Sequence, residues 1–406
     1  MRDHDLTDPL RRRLLAAGMM ASAGLGASRP ASAAGGTLEQ PFANGHRNLV
    51  AYPEKRPLIV LTSRPPQLET PFEVFNDGLI TPNDAFFVRY HLANIPLEID
   101  PDTYTIDIKG KVNKPTKLKL ADLKRMASVE IVAVNQCSGN SRGLSEPRVP
   151  GGQLGNGAMG NARWRGVPLK AVLAQAGVQA GAKQVVFNGL DTAVIDKTPD
   201  FVKALEIDHA TDGEVMLAYQ MNGADLPMLN GFPVRLVVPG YYGTYWVKHL
   251  SDITVVDTVF DGFWMKSSYR IPDTADGMIE PGTAPKATVP IGRFNVRSFV
   301  TSLADGAKVK AGATTLKGIA FNGGSGIKEV AVSTDGGKSW ALAKLGQDLG
   351  KYSFREWTLP VTLAAGTHVL KVRATGNDGK TQPEKAGWNP PGYMRNVIET
   401  YTVTAA

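Results

Sequence analysis

The chain has 406 residues, 43% hydrophobic and 20% charged, an ordinary globular composition whose length predicts two or three domains of roughly 100–200 residues each. The 43 glycines and 27 prolines argue for turns and strands rather than a helix bundle. One cysteine excludes an internal disulfide framework, a covalently attached c-type haem and a four-cysteine iron–sulfur cluster. The formal charge of +7 favours small anions or an acidic partner, and no long basic run interleaved with aromatics speaks for nucleic acid.

Residues 1–33 read as a targeting segment. Arg11-Arg12-Arg13-Leu14-Leu15 fits the twin-arginine export pattern, an apolar run rich in Ala, Gly and Met continues to Gly26, and Ala31-Ser32-Ala33 fits a small-x-small cleavage site. That run is too short to span a membrane, and nothing later is long enough. The expected address is the periplasm. Removing Arg2, Arg11, Arg12, Arg13 and Arg29 with Asp3, Asp5 and Asp8 takes away a net +2, leaving about +5. Twin-arginine export carries folded proteins, often around an inserted cofactor, so the signal also argues for a bound cofactor.

Residues 34–80 are Pro-rich and predict an extended arm laid over the surface. A first domain is expected over 81–270. Within it, strands are predicted at 103–109, 129–134, 185–187, 215–219, 234–238 and 253–260. Short helices are predicted at 119–126, at 169–176 with Gly177 as the stop, and near 201–208. Residues 271–290, low in hydrophobics and holding Pro272, Pro281, Pro285 and Pro290, predict a linker. After it, alternating runs near 314–320, 328–334, 352–359, 367–374 and 397–403 predict an antiparallel β-sandwich of immunoglobulin-like size over 291–406. The fold class is α+β.

The stretch that organises the chain is Val134 to Gly143. A mostly apolar strand delivers Cys137, Ser138-Gly139-Asn140 turn the chain, and Arg142 follows five residues after the thiol. A nearby cation lowers a thiol pKa, and the thiolate is both a nucleophile and a soft metal ligand. The alternative is a buried Cys packed as a small hydrophobe. Further cations come from separate segments: Arg89 and His91 after the apolar Phe86-Phe87-Val88, then Arg235, then Lys248. Arg89 in particular should lie near buried surface, where it needs an anionic partner. The glycine-rich 151–164 fits neither G-x-x-x-x-G-K-[ST] nor a strand–GxGxxG–helix unit, which speaks against nucleotide binding. His46, His209, His249 and His368 show no zinc spacing.

The chain resembles the sulfite oxidase family of mononuclear molybdenum enzymes, most closely the bacterial periplasmic sulfite dehydrogenases. The resemblance covers roughly residues 70–406. It rests on Phe87-Val88-Arg89-Tyr90-His91, Gln136-Cys137-Ser138-Gly139-Asn140-Ser141-Arg142, and Trp164-Arg165-Gly166-Val167-Pro168-Leu169. It continues through Gly231-Phe232-Pro233-Val234-Arg235, the Pro-Gly loop to Lys248, Tyr269, and Val332 to Trp340. It implies a sulfite-oxidase-type molybdopterin domain followed by the sandwich, with one molybdenum–molybdopterin per chain and no haem. Cys137 would ligate molybdenum. Phe87, Val88, Arg89, Tyr90, His91, Asp191, Asn230, Arg235, Trp246, Val247 and Lys248 would hold the pterin and its phosphate. Tyr269, Arg89, Arg142 and His91 would line the anion pocket, with Trp164 as a wall.

Sulfite is a small dianion near neutral pH, and converging arginine forks bind such oxyanions bidentately. The implied activity is oxidation of sulfite to sulfate, with electrons leaving singly to a c-type cytochrome. Two departures stand out. Animal and plant members carry His where this chain has Asn230, and an Arg where it has Pro391. Arg395, Arg163 or Arg165 are candidates to replace that Arg. The resemblance leaves a homodimer and a heterodimer with a cytochrome subunit both open. Other readings are a sulfane dehydrogenase component, a methionine sulfoxide reductase (disfavoured by the sandwich and Tyr269), or a secreted binding protein with no redox centre.

Overall fold

The computed structural model describes residues 33–40 and 44–406; the targeting segment, Ala33 apart, lies outside them. The Pro-rich stretch read as a surface arm is instead built into a sheet. Strands β1 (Ala33–Gln40), β2 (Gly45–Val50), β3 (Leu58–Ser63), β4 (Pro66–Glu69) and β5 (Val88–Arg89) pair in sequence order. The reason lies in a few apolar residues among the prolines. Leu58 and Leu68 are buried with Val88 and Tyr90 in a small core of their own. That core ties the Arg89 segment to the N-terminal sheet.

The next elements are β6 (Thr105–Gly110), β7 (Thr116–Lys119), α1 (Leu120–Arg125), β8 (Val129–Gln136), β9 (Met159–Pro168), α2 (Leu169–Ala176), β10 (Gln184–Gly189), β11 (Lys203–Glu206), α3 (Ile207–Thr211), β12 (Met216–Met221), β13 (Ala224–Asp225), β14 (Arg235–Val237) and β15 (Leu250–Val256). They form two sheets, ordered β11-β10-β15-β6-β7 and β13-β12-β9-β8 with β14 also on β12. Helix α2 buries Leu169, Val172, Leu173 and Ala176, the i, i+3, i+4, i+7 stripe of an amphipathic helix. Gly177 ends it at φ +69, donating its N–H to Leu173 O and Ala174 O.

The helix expected near 201–208 is mostly strand. Lys203 to Leu205 are buried and pair antiparallel with β10, so sheet pairing overrides local helix propensity; only Ile207–Thr211 is helical. Strand β8 runs two residues past its expected end, to Gln136. Its first half is largely exposed and its last five residues are buried, so it carries Cys137 from the surface into the interior.

Residues 271–290 are not a free spacer. They are bracketed by β16 (Arg270–Pro272) and β17 (Thr288–Pro290), which pair with each other. Within them Ile279 N–H donates to Trp388 O at 2.8 Å. Beyond them, β18 (Arg297–Val300), β19 (Lys308–Val309), β20 (Gly312–Phe321), β21 (Ile327–Ser333), β22 (Ala341–Leu342), β23 (Lys344–Leu345), β24 (Arg355–Leu363), β25 (Gly366–Gly376) and β26 (Glu399–Ala405) make two sheets, β18-β20-β24-β23 and β19-β26-β25-β21-β22. Val300, Leu316, Val332, Trp357, Leu370 and Val403 from both sheets share one core. Phe299, Phe321, Phe354 and Tyr393 belong instead to the core of the first domain, so the two halves are packed as one body at their seam.

Candidate cofactor cleft

The strand ends and loops of the first domain converge on one cleft. It is lined by Phe86, Phe87, Arg89, Tyr90 and His91 from the β5 segment, and by Asn135, Cys137 and Ser138 from the end of β8. Asp191, Phe201, Asn230, Arg235, Gly243, Thr244, Trp246, Val247, Lys248 and Tyr269 complete the wall. Two expected site residues are placed differently. Val88 turns its side chain into the N-terminal sheet's core. Arg142 lies one layer behind the lining, its Nε donating to Pro391 O at 2.9 Å and its guanidinium 5.0 Å from the Tyr393 ring centroid. Trp164 is fully buried behind Arg235, with Nε1 donating to Ala133 O at 3.0 Å.

Cys137 is the single thiol, 9% exposed. Its N–H donates to Ala158 O at 2.9 Å and its carbonyl accepts from Asn140 N–H at 3.0 Å, which fixes the turn that presents the sulfur. Arg235 is 3% exposed and sits 5.1 Å from the Trp164 centroid and 5.5 Å from that of Trp246. It donates to Asn230 O at 2.9 Å and to Trp246 O at 3.2 Å. Burial lowers its pKa to about 9, the sign of a guanidinium with no counter-anion. Lys248 Nζ donates to Arg89 O at 2.7 Å and lies 3.2 Å from the Tyr90 centroid. Burial first, then Arg235, pushes its pKa well down. Asp191 is the one carboxylate of the lining; burial raises it to about 6 while Lys248 pulls the other way.

His91 Nε2 shares a hydrogen bond with the Tyr269 hydroxyl. His91 stacks on Phe201 with centroids 3.8 Å apart. Burial, then the charges of Arg89, Lys248 and Lys203, hold it well below its ordinary pKa, so it is a neutral imidazole. Burial raises the Tyr269 phenol pKa, with Arg89 opposing. Tyr269 adopts φ +56, a left-handed conformation that neighbouring contacts must hold.

Two buried lysines were not anticipated. Lys55, from the stretch read as an arm, donates to Phe86 O at 3.1 Å and to Asn83 O and Asn230 Oδ1, each at 2.5 Å. It thereby orients Asn230, whose Nδ2 donates to Phe87 O at 3.2 Å. Lys203 is 1% exposed, donates to Trp264 O at 2.6 Å, and stands 5.0 Å from the Tyr269 ring centroid. Burial brings both lysines down to about 7. Lysine ordinarily reads as solvent-facing, so neither gave a sequence signal.

None of the three arginines named as replacements for the position of Pro391 lines the cleft. Arg163 and Arg165 are exposed on β9, beside Glu130 and Ser128, and Arg395 pairs with Glu399 at 3.2 Å. His209 does have acidic neighbours: its ring and the carboxylates of Asp212 and Glu214 have ligand atoms within 4.8 Å of one another. Glu214 is already held by Arg293 at 2.7 Å and Lys351 at 2.9 Å, so this is an ion-pair cluster.

Around the cleft, Asn135 Oδ1, Ser138 Oγ, Thr244 Oγ1 and Arg235 Nε are buried with no hydrogen-bond partner in the protein. Buried polar groups are nearly always paired, so three orphaned groups that can donate and one, Asn135 Oδ1, that accepts mark the place of a polar group carrying both acceptors and donors. A molybdopterin phosphate fits the cations and the orphaned groups, and a soft metal fits the lone thiol.

Comparison with known proteins agrees. Residues 91–264 match the oxidoreductase molybdopterin binding domain and residues 288–405 the Mo-co oxidoreductase dimerisation domain. The chain is 34% identical over 365 residues to the mitochondrial sulfite oxidase of Homo sapiens, covering 85% of this chain but 65% of that protein's length. It is 31% identical to the sulfite oxidase of Arabidopsis thaliana, covering 86% of this chain and 93% of that one. Among solved structures, the sulfane dehydrogenase SoxCD from Paracoccus pantotrophus superposes with a TM-score of 0.73 at 27% identity, over 84% of this chain and 85% of that one. Molybdenum–molybdopterin is therefore the cofactor, residues 288–405 are a dimerisation domain, and the chain belongs to the sulfite oxidase family of molybdenum enzymes.

Proposed function

We propose that the chain is a periplasmic sulfite dehydrogenase, exported by its twin-arginine segment. Sulfite and water become sulfate, two protons and two electrons, and the electrons pass singly to a c-type cytochrome. The observation that carries this reading is a cleft in which Arg89, Arg235 and Lys248 face a single carboxylate, beside one thiol and a tyrosine–histidine pair. Bound molybdenum–molybdopterin would supply, through its metal, the two-electron centre and the oxygen-atom transfer.

The chain's own residues do the rest. Cys137 holds the metal. Arg235, Lys248, Asn230, Tyr90, Asp191, Trp246, Val247 and the Phe87–His91 backbone hold the pterin and its phosphate. Arg89 attracts and orients the oxyanion, and Arg142 adds positive potential from the layer behind. Burial and the charges of Arg89, Lys248 and Lys203 keep His91 neutral, so it positions the Tyr269 hydroxyl, which donates to the oxyanion and relays the protons that water releases. The dimerisation domain serves a homodimer or a heterodimer with the cytochrome, and its two-sheet core supports the immunoglobulin-like reading.

A second reading, a sulfane dehydrogenase component, is favoured by the 0.73 TM-score to SoxCD. Steady-state assays of the molybdenum-loaded protein with ferricyanide separate the two. Turnover with sulfite, and little with a protein-bound sulfane sulfur, is expected. Turnover with the sulfane sulfur alone would give the second reading the site.

A further inference from the structure

Tyr393 belongs by sequence to the C-terminal domain, yet it is 9% exposed within the core of the first. Its ring lies parallel to that of Tyr269, at 5° and 5.3 Å between centroids. The Arg142 guanidinium lies 5.0 Å from the same ring. The backbone around Tyr393 grips the cysteine loop as well: Met394 N–H donates to Ser138 O at 3.2 Å, and Pro391 O accepts from Arg142 Nε at 2.9 Å. Three glycines leave the Arg142 side chain the space it occupies. A Cβ added at Gly139 or Gly151 would come within 2.8 Å of its guanidinium, and one at Gly392 within 2.9 Å of its Cγ. Asn389 fixes the segment in turn, its Oδ1 accepting from Tyr393 N–H and its Nδ2 donating to Tyr393 O, both at 2.9 Å.

We propose that Tyr393 is a positioning residue of the oxyanion pocket: its ring is the shared surface that sets Arg142 and Tyr269 relative to each other. This rests on the sulfite dehydrogenase reading. A flat aromatic face orients a planar guanidinium by cation–π attraction and a second ring by stacking. The hydroxyl of Tyr393 is not needed for either contact. The C-terminal domain is thus part of the site, through a ring that does not itself line the cleft.

The test uses the molybdenum-loaded full chain and its Tyr393→Phe and Tyr393→Leu variants. Sulfite kcat and KM are measured with ferricyanide, and sulfate binding by calorimetry. Tyr393→Phe should stay near wild type in every constant. Tyr393→Leu should raise the sulfite KM and the sulfate Kd together by about tenfold, the factor expected for one cation–π contact and one ring stack, at unchanged molybdenum content. Should the leucine variant not fold, Tyr393→Met, which fills the volume without a flat face, carries the same expectation. Unchanged constants in the variant lacking the ring, or a Tyr393→Phe as weak as Tyr393→Leu, would overturn the proposal. A wild-type protein that binds sulfate but does not oxidise sulfite would sink the parent reading instead, and the sulfate Kd series would still decide the role of Tyr393.

Discussion

Two buried arginines show how this chain separates structure from chemistry. At the domain seam, Arg297 is fully buried, yet its charge is met by Glu399 at 2.7 Å and its other Nη donates to Ser141 Oγ at 3.0 Å. In the cleft, Arg235 is buried almost as deeply against two indoles, with only carbonyls as partners, while Nε is unpaired in both arginines. Burying either cation is costly. The seam meets the charge with a carboxylate of the protein, while the cleft leaves its charge for something that is not protein. The contrast teaches that the site is found by what its buried groups lack.

Substitutions at the two places should therefore behave in opposite ways. The largest effect is expected at the seam. Glu399→Gln strands Arg297 and should lower unfolding free energy by about 3–5 kcal/mol in chemical denaturation. A loss below about 1 kcal/mol would mean that the seam does not depend on this pair. In the cleft, Tyr269→Phe keeps the packing and removes the hydroxyl on His91, so sulfite kcat should fall about a hundredfold at unchanged stability. An unchanged rate would remove Tyr269 from proton handling.

Arg235→Gln should leave the apoprotein as stable as wild type or about 1 kcal/mol more stable, because an uncompensated charge is gone. The same variant should purify with less molybdopterin. Apoprotein destabilised as strongly as by Glu399→Gln would erase the comparison.

The pH-dependent effect belongs to Lys203. Burial lowers its pKa from 10.5 to about 7, so the folded state binds the proton more weakly than the unfolded one. Stability from this group is present above the unfolded pKa and is lost as pH falls through the folded one. Lys203→Met should therefore raise the thermal midpoint most at and below pH 7, the gain shrinking toward pH 10. A gain that grew with pH would contradict the assignment.

Much of the site was legible because its residues come in short, dense motifs. Arg89, His91, Cys137, Asp191, Asn230, Arg235, Trp246, Lys248 and Tyr269 are scattered over the first domain, and the fold gathers all of them at one cleft. Arg142 is the right kind of residue one layer too far back, a displacement set by three glycines and the Pro391 carbonyl, which no spacing reveals. Lys55 and Lys203 escaped because a lone lysine carries no pattern. Tyr393 escaped because its partners lie in other segments. Helix α2 could be read to the residue, since its apolar stripe and Gly177 agree. The N-terminal sheet could not, because prolines mask its few core positions, Leu58 and Leu68.

The most direct test of the account is sulfite-dependent reduction of a c-type cytochrome by the exported, molybdenum-loaded protein, beside its Cys137→Ser variant. The account predicts rapid reduction by the wild type and background rates for the variant. No reduction of the cytochrome or of ferricyanide, in wild-type protein shown to contain molybdenum, would contradict it.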